Sequence, residues 1–325
     1  MPFLSIIIPV YNVEKTLYHT LQTIVEQTFQ DFELLLIDDD STDSSGDICS
    51  YFSQQFDHIY YWKQKHLGVS EARNKGIGLA TGTFLFFMDS DDELISSTFF
   101  AQLHDFIITA PADMYIYSYT QRFYNSTGEI IGNEDASYKN TIMYTSWKNN
   151  PKTFLETFSQ SSMFVVWNKI FRKDIIQKYE ISFKNQWMED FRFVLDYLSN
   201  SESVCFLPLK GYIFNRFYKN SLSLRVEPTM LEGHISVHRK MLTMFPLNCD
   251  SFIARIFAPQ YYSDLIKYIQ CDIVNLKIKK CLESPLIIKS FNLYVPCSIK
   301  DKLMFNFARK GHYKIYRFLR RFTKQ

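Results

Sequence analysis

The chain has 325 residues, 46% of them hydrophobic and 17% aromatic, with only 10 glycines. This excludes a disordered or repetitive chain and supplies core for one large domain with an appendage or for two modest ones. The formal net charge of +2 conceals an asymmetry, because Ile299 to Gln325 carries nine Lys or Arg against the single acid Asp301, leaving a net −6 on the preceding 298 residues. An acidic main body speaks against a nucleic-acid groove, and the basic tail points to an anionic partner.

Six scattered cysteines (Cys49, Cys205, Cys249, Cys271, Cys281 and Cys297) form no CxxC pair, and the chain opens on a strand pattern rather than a signal peptide. No apolar run approaches the roughly 20 residues of a membrane-spanning helix. A reducing cytoplasm is the expected compartment.

Apolar runs and amphipathic segments alternate from the start: a strand over Leu4 to Ile8, a helix near Thr16 to Thr28, a strand over Leu34 to Ile37, a helix near Asp47 to Phe56. A strand at Ile59 to Trp62, a helix over Ser70 to Ala80, a strand at Phe84 to Met88, a helix from Thr98 to Thr109 and a strand at Met114 to Tyr119 follow. The order predicts an α/β fold with a mostly parallel sheet flanked by helices. Tyr124 to Trp147 reads as polar and irregular, Phe164 to Ile176 and Trp187 to Asn200 return to order, and the chain looks helical after about Pro228.

Polar clusters fall where strands end, the place at which ligands meet open α/β sheets. Asp89-Ser90-Asp91-Asp92-Glu93 puts four acids at the mouth of a buried strand. Hard divalent cations want such oxygens, and a nucleotide diphosphate tolerates carboxylates nearby only with Mg²⁺ or Mn²⁺ between them. Capping of a following helix explains Ser90 and Asp91 equally well. Asp38-Asp39-Asp40-Ser41-Thr42-Asp43 repeats the theme, with Ser44-x-x-Asp47 readable as a capping box and Asp39 as an acceptor for a base N–H. Gly68 to Gly76 opens a helix carrying Arg73 and Lys75, which suits phosphate oxygens or an ordinary charged surface.

The order of these pieces carries a resemblance. Ser5 to Glu14 with Pro9, Tyr11 and Asn12, then Ile37-Asp38-Asp39 with Ser41-Thr42-Asp43, then Gly68-x-Ser70-x-Ala72-Arg73-Asn74-x-Gly76, then Met88 to Asp92, resembles the family 2 glycosyltransferases of the GT-A fold, inverting and of the bacterial surface-polysaccharide type. The resemblance implies that Pro9, Tyr11 and Glu14 border the nucleoside of a nucleotide-sugar donor, UDP-linked by expectation. It also implies that Asp39 contacts the base, Arg73 lies beside the nucleotide, Asp89 meets the ribose side and Asp91 the metal, Mn²⁺ or Mg²⁺. Asp40 stands where the family usually has Gly, and His66 where it has Asn. Asp tolerates a positive φ better than most residues, so the turn is expected to survive.

Glu189-Asp190 resembles the family's Glu-Asp pair at a helix start, with Asp190 as the base that deprotonates an acceptor hydroxyl. Adjacent carboxylates raise one another's proton affinity, which helps that task. Trp167 and Arg216 are further candidates near the acceptor or the diphosphate, with core packing and simple ion pairing as their ordinary alternatives.

The expected division is a GT-A-like domain over 1–227, with a nucleotide-sugar half to about 120 and an acceptor half over about 121–227, followed by a helical region over 228–325 with a basic amphipathic end. Lys302, Arg309, Lys310, Lys314, Arg317, Arg320, Arg321 and Lys324 interleave with apolar residues there, which suits an anionic membrane surface. The expected acceptor is a glycan or lipid-linked oligosaccharide, the expected location peripheral on the inner face of the membrane, and a homo-oligomer is compatible with the sequence. A sugar-1-phosphate nucleotidyltransferase is the nearest enzymatic alternative, but it calls for a Gly-rich, basic first loop where this chain has Pro9-Val10-Tyr11-Asn12. A membrane-docked scaffold with a dead nucleotide site is the alternative from another class.

Overall fold

The computed structural model describes residues 1–217, 229–270, 281 and 283–293. The basic segment Ile299 to Gln325 lies outside the described residues, as does Asn220-Ser221-Leu222-Ser223, which resembles the family's loop after the closing strand. Contacts divide the chain into two compact units, Met1–Asn185 with Glu189–Leu222, and Gln186–Met188 with Ser223–Gln325.

In the first unit the expected alternation is present. β1 (Leu4–Val10), α1 (Leu17–Val25), β2 (Phe32–Asp38), α2 (Ser45–Gln55), β3 (Ile59–Lys63), α3 (Val69–Leu79) and β4 (Phe84–Phe87) follow in order. β1, β2 and β4 are buried along almost their whole length, which is why they read as apolar runs rather than alternating strands. β1 pairs in parallel with both β2 and β4, and β2 pairs in parallel with β3.

Past β4 come β5 (Glu93–Leu94), α4 (Phe99–Thr109), β6 (Met114–Tyr124), β7 (Ile130–Ala136), β8 (Ile142–Tyr144), α5 (Pro151–Gln160), β9 (Lys169–Arg172), α6 (Lys173–Lys178), α7 (Glu189–Ser199) and β10 (Val204–Arg216). The sheet order is β3-β2-β1-β4-β9-β6-β10-β5. Its character changes at β9, which is antiparallel to both β4 and β6, while β6 and β10 run parallel. The parallel reading therefore holds for the first four strands in that order, and the remainder is mixed.

Tyr124 to Trp147 is not irregular, because β7 hairpins back onto β6 through a turn in which Asn125 Oδ1 accepts from Thr127 N and Glu129 N, each at 2.9 Å, and Gly128 takes φ 88°. β7 is exposed from Ile130 to Asp135, so no apolar alternation marks it in the sequence. α5 was also missed, although Pro151 at its first turn is the usual opening and Phe154, Leu155 and Phe158 form its buried stripe.

From Met230 on, the described part of the second unit is built on α8 (Met230–Met244), α9 (Asp250–Gln270) and a helix over Pro285–Leu293. His234 and His238 of α8 meet Asp264 and Tyr261 of α9 at 2.6 and 2.8 Å. No described helix is long and apolar enough to cross a membrane.

Candidate active site

β2, β1 and β4 are neighbours with aligned carboxyl ends, so Tyr11 to Glu14, Asp38 to Asp43 and Asp89 to Glu93 emerge at one edge of the sheet. The first two segments are laced together. Asn12 N donates to Ser41 Oγ at 3.1 Å, Val13 N donates to Ser45 Oγ at 2.9 Å, and Asn12 Oδ1 accepts from Thr42 N at 2.9 Å. Glu14 N donates to Asp43 Oδ2 at 3.1 Å while Glu14 Oε2 accepts from Ser44 N at 3.0 Å, so Glu14 is spent as a clasp between loops. Ser44 makes no side-chain cap; Asp43 Oδ1, accepting from Ser45 N at 3.0 Å, does that work.

The three consecutive carboxylates Asp38, Asp39 and Asp40, whose mutual repulsion is costly without partners, each have their own donors. Asp38 accepts from Ser41 N at 2.8 Å and Tyr61 Oη at 2.9 Å. Asp40 takes φ 67° and pairs with Lys63 at 3.1 Å, so the left-handed turn survives without Gly. Asp39 Oδ1 accepts from Gln64 Nε2 and Leu67 N, and Oδ2 from Gly68 N, all at 2.8 Å, with His66 Nδ1 at 2.9 Å from Oδ2. Burial pushes the Asp39 carboxyl up, but these hydrogen bonds and the His66 charge outweigh it and hold the group below the ordinary carboxylate range. Asp39 thus fastens the 64–68 loop rather than standing as an open acceptor. Its partner His66 stacks on the half-exposed Tyr11 ring, centroids 4.2 Å apart and planes at 25°, with Pro9 half-buried just upstream.

In Asp89 to Glu93 every acid has a different environment. Asp92 is fully buried and accepts from Tyr212 Oη at 2.7 Å and Asn215 N at 2.8 Å, which ties the segment to β10. Glu93 receives Arg122 on both oxygens at 2.8 and 2.9 Å. Asp89 accepts from Arg73 Nη2 at 3.0 Å. Among the described residues no other residue donates a hydrogen bond to the Asp91 carboxylate, and burial followed by the Asp89 charge pushes it up to about 7 against the pull of its own backbone N–H. Capping is therefore not what Asp91 does.

Arg73 is buried rather than open to a phosphate. Its Nη1 donates to Asp190 Oδ1 at 2.7 Å and lies 3.8 Å from Glu189 Oε1, its Nη2 goes to Asp89, and its Cζ sits 5.2 Å from the Phe183 ring centroid. One guanidinium thus joins the acidic end of β4 to the start of α7. The same face of α3 grips the approach to α7, since Asn74 Nδ2 donates to Phe183 O at 3.0 Å, Phe183 N donates to Asn74 Oδ1 at 2.8 Å, and Ser70 Oγ donates to Lys184 O at 3.2 Å. The sequence displayed this signal, because residues 70, 73 and 74 stand three and four apart on one helical face.

Asp190 lies in the first turn of α7, with Glu189 beside it, where the helix dipole favours negative charge. Burial pushes its carboxyl up to about 7, against the pull of Arg73, and the charges of Glu189 and Asp89 add to the rise.

Two candidates stand elsewhere. Trp167 is buried, stacked on Tyr212 at 4.8 Å and 8° and on Phe214 at 5.0 Å and 25°, with Tyr119 against it edge-on. Its ring faces are occupied by core aromatics, so it is packing and not a platform for a sugar. Arg216 is exposed at the end of β10, where Nη1 reaches Gln121 Oε1 at 3.4 Å and the guanidinium lies 5.8 Å from the Phe123 ring. Among the described residues no three His, Cys, Asp or Glu side chains converge on a metal position.

An α/β sheet with acidic loops at its carboxyl edge is the class this geometry defines. Residues 5–180 match the family model described as Glycosyl transferase family 2, and the chain belongs to that family of enzymes. The glycosyltransferase GlyA of Streptococcus pneumoniae serotype 4 is 30% identical over 266 residues, 74% of this chain but only 37% of GlyA. The chain therefore spans well under half of that relative. Among solved structures, S. aureus TarS 1-349 in complex with UDP-GlcNAc superposes with a TM-score of 0.71 at 18% identity, covering 97% of this chain and 89% of that one. The mannosyltransferase PcManGT from Pyrobaculum calidifontis in complex with GDP-Man and Mn²⁺ gives a TM-score of 0.56 at 12% identity, covering 98% and 83%. Both likenesses are of fold.

Proposed function

We propose that this chain is an inverting glycosyltransferase that moves a sugar from a UDP-linked donor to a hydroxyl of a glycan or lipid-linked acceptor in surface-polysaccharide synthesis. The observation that carries the reading is the Arg73 bridge, which draws Asp89 on the donor side and Asp190 on the acceptor side around one buried cation. Pro9, Tyr11 and the loop fastened by Asp39 border the nucleoside, and Asp89 the ribose. Asp190 removes the acceptor proton as its oxygen attacks the anomeric carbon, and a single in-line displacement inverts that centre. Its raised pKa makes it a stronger base than an ordinary carboxylate while leaving it ionised above neutrality.

Asp91 fits a divalent cation: among the described residues no other residue donates to its carboxylate, and the Asp89 charge stands beside it. The lack of a three-ligand cluster agrees with Mg²⁺-like sites, which take one or two carboxylates and fill the rest from substrate phosphates and water. Such an ion supplies charge that stabilises the departing diphosphate. Asp91→Ala is expected to abolish metal-dependent UDP binding, read by calorimetry with UDP and Mn²⁺. Undiminished binding by the variant would move the metal away from this segment.

The basic carboxyl-terminal segment supports a peripheral position on the cytoplasmic face of a membrane, each basic residue there contributing about 1 kcal/mol on anionic lipid. Removing residues 310–325 is expected to weaken cosedimentation with anionic vesicles while leaving UDP binding intact; equal cosedimentation of both forms would remove the membrane from the account.

A further inference from the structure

We propose that His66 reads the nucleobase of the donor through Nε2, with Asp39 acting on the base only by holding that ring; the proposal rests on the reading of this edge as the nucleoside site. An ionised carboxylate offers about four lone-pair positions. Asp39 fills them within the protein, since Oδ1 accepts from Gln64 Nε2 and Leu67 N, each at 2.8 Å, and Oδ2 from Gly68 N at 2.8 Å and His66 Nδ1 at 2.9 Å. The carboxylate is also buried, so a base N–H that displaced one of these donors would leave that donor unpaired. What Asp39 presents to a ligand is therefore the ring it holds.

The surroundings of His66 decide which of its nitrogens does the reading. Nδ1 faces two oxygens, Asp39 Oδ2 at 2.9 Å and Asp39 O at 3.1 Å, and a ring nitrogen set against two acceptors carries its proton in both charge states. Nε2 is then the atom that changes, a lone pair in the neutral ring and an N–H in the cation. Tyr11, stacked on the ring at 4.2 Å, fixes its plane, and the side chain is 54% exposed, with no described residue hydrogen-bonded to Nε2. The titratable groups against the ring are Asp39 from the end of β2 and Tyr11 from the end of β1; Lys65 is its neighbour in the loop, and Lys63 is engaged by Asp40 at 3.1 Å. Uracil presents one ring N–H, which a neutral His66 accepts. Cytosine has a bare nitrogen at that place, which opposes lone pair to lone pair until Nε2 takes a proton. Asn, the family's usual residue here, carries an acceptor and donors at every pH and has no such dependence.

Calorimetry with UDP and with CDP, each with Mn²⁺, at about pH 8 and about pH 5.5 tests the assignment. The two nucleotides share ribose, diphosphate and metal, so any titration of Asp91 or Asp190 cancels in the ratio of their affinities. Wild type is expected to favour UDP by about tenfold or more at the higher pH and to lose about fivefold or more of that preference at the lower one, as Nε2 is protonated. His66→Phe keeps a ring against Tyr11 without a polar atom, and is expected to bind the two nucleotides within about threefold of each other at both pH values. His66→Asn is expected to favour UDP with a ratio that does not move with pH, and decides the matter if the Phe variant does not fold. A wild-type ratio that is flat with pH, or a His66 variant that keeps both the wild-type ratio and its pH dependence, would overturn the proposal. Binding of neither nucleotide by the wild type would instead sink the nucleoside site itself, and the assignment with it.

Discussion

Asp190→Asn is expected to cut turnover by roughly 10²-fold or more while donor affinity holds. The amide keeps the size and part of the hydrogen bonding to Arg73 but cannot take the acceptor proton. Because a base acts in the transition state, the loss belongs in kcat and in kcat/KM together rather than in UDP binding. The wild-type rate carries a pH signature as well. A base whose folded pKa is raised to about 7 is protonated and idle below that value, so turnover is expected to climb as pH rises through it and to level off above. Glu189→Gln is the control, since Glu189 sits 3.8 Å from Arg73 against 2.7 Å for Asp190. A Glu189 variant that loses more activity than Asp190→Asn would reverse the two roles.

Arg73→Met is expected to be the most destabilising single change at the site. The methionine fills the space against Phe183, yet Asp89 and Asp190 lose their shared cation and Glu189 its nearest one. Breaking a buried ion pair from one side leaves uncompensated charge and costs about 3–5 kcal/mol. Thermal unfolding at neutral pH reads that loss, and the variant should regain part of it as pH falls, because protonation relieves the stranded carboxylates. An Arg73→Met protein that unfolds at the wild-type temperature would show that the carboxylates are neutral in the wild type, and the bridge would lose its place in the account.

The legible part of the molecule was the part whose signal is local. Long apolar strands between amphipathic helices fixed β1 to β4 and α1 to α4, and the motif order from Ser5 to Asp92 carried the family. Lacking was whatever depends on partners far along the chain. Arg73 looked like an exposed phosphate ligand because nothing near it in sequence shows that Asp89, 16 residues on, and Asp190, 117 residues on, close over it. The structural bonds of Glu14 and Asp39 were hidden for the same reason, since their donors come from the 41–45 and 64–68 segments. Trp167 left two readings open in the sequence, core packing and a platform near the acceptor, and Tyr212 and Phe214 stacked on it favour packing. β7 escaped because a strand exposed on both sides has no hydrophobic period to read.

The central claim is transfer of a sugar from a nucleotide donor, and its most direct test is to incubate the purified chain with a panel of nucleotide sugars, Mn²⁺ and a lipid-linked glycan acceptor while measuring the nucleotide released and the anomeric configuration of the product. The account predicts release of UDP from a UDP-sugar, stimulated by acceptor, with the configuration inverted. Release of pyrophosphate from a nucleoside triphosphate and a sugar phosphate, retention at the anomeric centre, or no nucleotide release from any donor would contradict it.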